Sequence, residues 1–521
     1  MMRHLVKTLV MNEVRLRMRR TATLVTMLAV IVLSWIMIVD PAGGSSLITV
    51  GQARVLYTSS ALAIGSASLF CILFGLGGFF LVRGRVAEDI RSGTGSVIGA
   101  TPVGNALFVF SRWLGSVAYL SSLVLVFMLT IMLLHAIRGH GPIEPLVYLQ
   151  NYVLMLLPMV LFTASCAAVC DNWAPLMGKV GDVLYFLVWV AQLAVMPIMG
   201  NVALGGAIPV AELFDFSGIG ASMLVVTNAL GSANVSLGGG DFKAQLAPVL
   251  MRPDLWTVKL GALRCAVGVL ALLPLLLATS VFHRFSPDKV KLSVASKRRS
   301  PLEVLNGLLR PLSVLVAPLF RLAAALPGLA GQVLGDVALT FVTSPSALLA
   351  LGASLVAGLL APGAALDAVM LAALVFWGVL VSDISTRDFT AGTEDMTGAV
   401  AGGVSTRYVR QFAATALLGL LFCGVVALRW SAARPERALA LVAGIVSLAA
   451  LATMFGRCSR TARLFMALFL FWTYVILNRP RMAMLDVVGF VGVANGHSIA
   501  VWSLAGAAAL AAGYAWNRRA L

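Results

Sequence analysis

Residues 60–82 read SALAIGSASLFCILFGLGGFFLV and hold no charged side chain. As a helix rising 1.5 Å per residue, this stretch reaches about 35 Å. That is enough to cross a hydrocarbon core of ~30 Å. Inside lipid a helix satisfies its own backbone hydrogen bonds, so a helix is the expected element. The run Gly75-Leu76-Gly77-Gly78 suits close helix packing more readily than a cargo site. At Arg83 the character changes at once, with Arg83, Arg85, Glu88, Asp89 and Arg91 in one short stretch.

The same alternation runs along all 521 residues, which are 60% hydrophobic and only 11% charged, with mean hydropathy +0.96. A soluble chain of this length would have about a quarter of its residues charged. Spanning helices are expected near 21–39, 60–82, 109–136, 147–170, 181–199 and 261–282. A second set is expected near 345–361, 366–383, 409–429, 437–456, 461–478 and 498–516. The alternation over about ten residues that marks a transmembrane barrel does not dominate anywhere. The run at 21–39 follows basic residues, as a signal peptide would. It is too long and lacks a clear small-residue cleavage site, so it reads as a retained helix.

The net charge of +17 is a matter of topology. On this map 27 of the 38 Lys and Arg lie on the side of the N terminus and 11 on the other. The heavy side includes Arg15, Arg17, Arg19, Arg20, Lys289, Lys291, Lys297, Arg298, Arg299, Arg518 and Arg519. The positive-inside rule then places both termini in the cytoplasm, and the expected membrane is the bacterial inner one. These clusters hug membrane ends, which suits anionic lipid headgroups rather than nucleic acid. Before the first span, Met2, Leu5, Val6, Leu9, Val10 and Val14 share one face, the pattern of a helix lying in the interface.

Two larger loops stand out. The outer insert at 200–258 is rich in Gly, Ala and Val and carries Glu212, Asp215 and Asp241. It reads as short interfacial or re-entrant helices, with Gly238-Gly239-Gly240-Asp241 as a loop signal. The middle of the chain is a cytoplasmic linker, basic and then punctuated by Pro301, Pro311, Pro318 and Pro327. The expected organisation is a first half at 1–283, a linker at 284–327 and a second half at 328–521.

The halves look related. The segment Asp89–Gly104 lies on Asp388–Gly403 without gaps, and six of sixteen positions match: Asp89/Asp388, Gly93/Gly392, Thr94/Thr393, Gly99/Gly398, Ala100/Ala399 and Gly104/Gly403. Both segments join the second and third spans of their half. Six spans per half give the halves one orientation, a parallel repeat. The expected fold is therefore an all-α polytopic membrane protein of about twelve helices in two six-helix repeats. Within 83–108, Gly93-Thr94 suits a turn and a helix start, with Thr94 as candidate N-cap, and a short helix ending before Pro102.

Chemistry-bearing motifs are absent. Gly178-Lys179 is followed by Val180, so the phosphate-binding Gly-x-x-x-x-Gly-Lys-Ser/Thr loop is not formed. Neither a His-Glu-x-x-His zinc helix nor a Gly-x-Ser-x-Gly elbow occurs. The histidines, His4, His135, His140, His283 and His497, lie near membrane ends. Cys71, Cys166, Cys170, Cys265, Cys423 and Cys458 all sit in or beside apolar runs and read as packing residues. Gln192, Tyr119 and Tyr474 are the polar exceptions in spans nearly free of charge, and read as local hydrogen-bonding groups.

Glu88-Asp89-Ile90-Arg91-Ser92-Gly93-Thr94, with Gly99-Ala100-Thr101-Pro102, resembles the cytoplasmic loop of ABC exporter permeases of the type-2 family. Phe282-His283-Arg284-Phe285-Ser286-Pro287 is similar to the stretch that often closes the sixth helix of such permeases. The second half departs from the pattern, with Thr390 where Arg91 would match and Ala401 where Pro102 would. The resemblance implies an export channel between two six-helix bundles, with coupling helices pushed by separate cytoplasmic ATPase subunits. It implies that Glu88, Asp89, Arg91, Gly93, Thr94 and Pro102, with Arg387, Asp388, Gly392, Thr393 and Glu394, engage that partner. ATP and Mg would then belong to the ATPases, two copies or one used twice, and this chain would hold no cofactor or metal. A mostly apolar interior suits an amphipathic, lipidic or peptide-like cargo. The competing reading is a twelve-helix secondary transporter driven by an ion gradient, because Asp89-Ile90-Arg91-Ser92-Gly93 faintly matches its Asp-Arg-x-Gly loop.

Overall fold

The computed structural model describes residues 2–200, 209–232, 234–283, 285, 301–399, 403–478 and 482–519. Arg284, Ser286, Pro287, the linker residues Lys289 to Arg299, and Ala401 lie outside the described residues. The chain divides into two compact units, Met1–Ser300 and Pro301–Leu521. The boundary falls inside the expected linker, and its second part packs with the second unit.

In the first unit, α1 (Met2–Met18) turns into α2 (Thr21–Met37) through a 70° bend. Strands β1 (Ser45–Val50) and β2 (Ala53–Arg54) follow, then α3 (Ser59–Val82). Thr58 opens α3 by accepting the amide of Ala61 on its hydroxyl. This helix is buried on nearly every side, chiefly against α7 (Pro145–Asn172) and α6 (Asn105–Arg138). The short helices α4 (Arg85–Arg91) and α5 (Thr94–Gly99) connect α3 to α6. Next come α8 (Lys179–Leu193), α9 (Val195–Gly200), α10 (Ile219–Leu230) and β3 (Val235–Asp241). The unit closes with α11 (Val258–Leu270) and α12 (Leu273–Val281). Gly75 does serve close packing: a Cβ there would lie 3.2 Å from the Trp189 ring. With that side chain absent, Tyr185 and Trp189 of α8 reach the α3 carbonyls of Gly75 (2.7 Å) and Ile72 (3.1 Å).

The outer insert departs from the expectation of helices and a glycine loop. Gly238-Gly239-Gly240-Asp241 belongs to β3, and the three strands form an antiparallel sheet in the order β2-β1-β3. Glycines at 238 and 239 adopt φ of +98° and +110°, so the run can deform at the register shift opposite Ser46–Ile48 while still pairing. Leu47 and Ile48 bury the inner face. Ser45 Oγ donates to Asp241 Oδ1 at the sheet end (2.8 Å). Of the expected helices, α10 is present.

In the second unit, α13 (Pro301–Leu308) and α14 (Ala317–Ala325) precede α15 (Gly328–Thr343), which meets α16 (Ser346–Leu360) at 104°. Then come α17 (Leu366–Val381), the one-turn α18 (Arg387–Thr390), α19 (Glu394–Gly398) and α20 (Gly403–Ala433). Helices α21 (Pro435–Ser459), α22 (Arg463–Asn478) and α23 (Gly496–Arg519) complete it. Trp377 is fully buried, and its indole donates to the Thr415 carbonyl (3.0 Å), pinning α17 to α20.

Among the described residues eight helices are long and apolar enough to cross a membrane, or up to eleven if each of three bent pairs is one span. The chain is thus a helical, membrane-embedded protein. Outside these helices, the expected spans near 181–199 and 461–478 meet α8 and α22, of 15 and 16 residues. At 1.5 Å per residue they extend about 23–24 Å, less than a ~30 Å core.

Candidate functional site

The segment after α3 is built by charge pairing. Gly84 takes a left-handed conformation (φ +97°) and turns the chain. The Asp171 carboxylate then accepts the amides of Gly84 (2.8 Å) and Arg85 (3.1 Å), satisfying donors at the start of α4. Arg83 is buried against Asp182 (2.9 Å) and also donates to the carbonyls of Leu176 and Gly178, which ties down the α7–α8 connection. Arg85 bridges Glu13 of α1 (3.1 Å) and Glu88 (2.7 Å). Glu88 also takes Arg20 (2.6 Å), and buried Asp89 pairs with Arg112 of α6. Such pairs hold geometry. The exposed Arg20–Glu88 bridge contributes little stability. Removing one partner of a buried pair costs about 3–5 kcal/mol.

Of the residues singled out, Glu88, Asp89, Gly93 and Thr94 come together. Thr94 is not the N-cap. Gly93 holds that position with φ +74°, and the Thr94 hydroxyl reaches back to the Asp89 carbonyl (3.3 Å). Arg91 and Pro102 lie on the exposed surface. Phe285 packs on α5: a Cβ at Gly95 would lie 2.9 Å from its ring. Phe285 also packs edge-on against Phe108 and Phe282, so the aromatic stretch after α12 forms the seat of α5.

The second segment repeats this local design. Gly392 has φ +68°, and Thr393 donates both its amide (2.9 Å) and its hydroxyl (3.4 Å) to the Asp388 carbonyl. Gln411, at the register position of Arg112, donates to the Asp388 carboxylate (3.4 Å), and Arg410 lies 3.9 Å from it. Arg387, at the register position of Glu88, bonds Thr340 of α15 (2.8 Å) and Asp383 (3.4 Å). In both units the segment is therefore tied to the amphipathic helix before the first span. There Glu13 meets Arg85, and here Thr340 accepts from Arg387 (2.8 Å), while Asp336 pairs with Arg410 of α20 (2.8 Å). The seats differ chemically. Glu394 replaces Gly95 and pairs with Arg457 (2.5 Å) and Arg407 (3.5 Å), beside a cavity of about 610 Å³.

Sequence reasoning missed the tips. Val97 is 68% exposed, and Met396, its register partner, is 74% exposed. Each is a large apolar side chain displayed on a short helix braced from behind. The signal was available in the gap-free alignment, which pairs an apolar residue with an apolar residue at that position.

A second constellation was also missed. Glu212, Asp215 and Arg264 lie buried together in the first unit at 0%, 0% and 1% exposure. Pro158 inside α7 has no amide hydrogen, which frees the carbonyl of Leu154. Arg264 of α11 donates its Nε to that carbonyl (3.0 Å), and its Nη1 donates to the Asp215 carbonyl (2.5 Å).

No family model, no curated protein and no solved structure matches this chain.

Proposed function

We propose that the chain is the membrane-spanning permease of an ATP-driven exporter of the ABC type-2 kind, with two related halves in one polypeptide. The observation that supports this most directly is the pair of braced loops, each ending in an exposed apolar residue, Val97 and Met396. A short helix fixed by ion pairs to its neighbours transmits a push as a rigid body. An apolar tip at its surface suits a groove on a partner. Separate ATPase subunits would engage α4–α5 and α18–α19 from the cytoplasm of a bacterial cell. The largely apolar spans favour an amphipathic, lipidic or peptide-like substrate.

The test is co-expression with any phosphate-loop ATPase found encoded beside this gene, followed by purification of the chain. The ATPase should co-purify, and cysteines placed at Val97 and Met396 should cross-link to it. Repeated purification without the ATPase would overturn the reading. ATP hydrolysis stimulated only by small hydrophilic ions would overturn the substrate class. A second reading, an ion-driven secondary transporter, draws support from the buried Arg264 within the span Val258–Val281, because intramembrane charge commonly marks an ion path. Ion-driven uptake into ATP-free proteoliposomes would favour it.

A further inference from the structure

Glu212 stands in a single turn of 3-10 helix, Val210–Phe214, between α9 and α10. Neither of its carboxylate oxygens has a hydrogen-bond partner among the described residues. Asp215 is as deeply buried but fully engaged. Its Oδ1 accepts from the Ser217 hydroxyl (2.7 Å) and the Gly218 amide (2.9 Å), and its Oδ2 accepts from the Ala221 amide (2.9 Å). Arg264 is also committed. Besides Leu154 and Asp215, it donates to the Met155 carbonyl (3.4 Å), and its Nη1 lies 3.8 Å from a carboxylate oxygen of both Glu212 and Asp215. Gly218 (φ +79°) makes this closeness tolerable, since a Cβ there would lie 3.1 Å from Arg264 Nη2.

The charges do not balance. Two acids share one base, and only Asp215 has the donors that stabilise an anion. A buried carboxylate without donors is far costlier than its protonated form. We propose that Glu212 is a proton-binding site of the first unit, a carboxylic acid that takes up and releases one proton beside the Asp215–Arg264 pair. The site stands whichever energy source drives the chain.

Among the described residues, Arg264 faces it from α11 and is itself held by the α7 carbonyls of Leu154 and Met155. The Cys71 thiol of α3 lies within electrostatic reach of Asp215 and Arg264. Neither α9 nor α10 carries a titratable residue. Burial first, and then the charge of Asp215, push the Glu212 carboxyl up to about 8, against the opposing pull of Arg264. Proton loss therefore adds one unmatched negative charge to a dry interior. The cheapest relief is water entry or outward movement of the turn, so release should loosen residues 209–230.

Infrared difference spectroscopy of the full chain in lipid nanodiscs, titrated from about pH 5 to about pH 9, tests this. A protonated carboxyl band should disappear with a midpoint of about 8. It should be absent in Glu212→Gln and retained, displaced in midpoint, in Glu212→Asp. Amide hydrogen exchange of 209–230 should quicken above the midpoint in the unsubstituted protein and not in Glu212→Gln. Absence of any such band in the unsubstituted protein above about pH 6 overturns the proposal, whether or not the variants fold. So does a band that survives Glu212→Gln. A midpoint that moves with sodium concentration assigns the site to a metal cation instead and overturns it as well.

Discussion

Pro158 removes one hydrogen, and a distant cation takes its place. A proline inside a helix leaves the carbonyl four residues earlier without its donor, and Arg264 supplies one at 3.0 Å. Arg264→Met should destabilise the protein by about 3–5 kcal/mol, because buried acid is left without its counter-charge. Combining it with Pro158→Ala should recover about 1–3 kcal/mol of that loss, since the alanine brings back a backbone amide that can donate to the Leu154 carbonyl. Thermal unfolding of the four proteins of this cycle measures it. Glu212 sets the pH dependence at this site. Its folded pKa is raised, so its contribution is fully present below about 4.5 and is lost as pH rises through about 8. The unfolding temperature should fall across that window, and Glu212→Gln should flatten the fall. None of this was legible in sequence. Arg264 lies 49 residues from Asp215 and 110 from Leu154. Glu212 and Asp215 read as ordinary acids of an outer loop. The interrupted α7 at Pro158 was the one local sign that a backbone acceptor needed an outside donor.

Elements would carry the proposed exchange with a partner. The loops α4–α5 and α18–α19 were legible because Asp, Gly and Thr recur at fixed spacing, and each has a backbone role. The glycine supplies the left-handed turn, the threonine closes it onto the aspartate carbonyl, and the aspartate faces the next helix. The role of Thr94 was misjudged because Gly93 already supplies the cap conformation. Val97→Glu and Met396→Glu should each leave the unfolding temperature nearly unchanged, because both side chains are exposed. Each should weaken ATPase binding about 30-fold, the loss of one hot-spot contact of about 2 kcal/mol. Titration of the purified chain with the ATPase reads this directly. Wild-type-like affinity in both variants would remove the tips from the interface.

At the scale of the molecule, composition was enough for the class of fold and not for the count of spans. Apolar runs mark helices reliably because lipid leaves the backbone no other partner. They do not report where a helix stops short, as α8 and α22 do, or where α15 turns through 104° into α16. The small sheet was hidden because glycines in β3 mimic a loop. The bias of basic residues predicts sidedness. In a chain freed of its native cysteines, Gln245→Cys should react with an impermeant thiol reagent in intact cells. Ser92→Cys and Asp395→Cys, also exposed positions, should react only after permeabilisation. Labelling of Ser92→Cys and Asp395→Cys, but not of Gln245→Cys, in intact cells would reverse the assignment.

The sheet has a further consequence in time. Strand β1 is made early, yet Ser45 must wait for Asp241, 196 residues later. At ordinary rates of synthesis that wait is on the order of 10–40 s. During it, β1 keeps an unfilled edge, the form in which strands pair with the wrong neighbour. The growing chain must shield this edge, or be shielded, until β3 arrives, so the speed of the ribosome becomes part of how this protein reaches its fold.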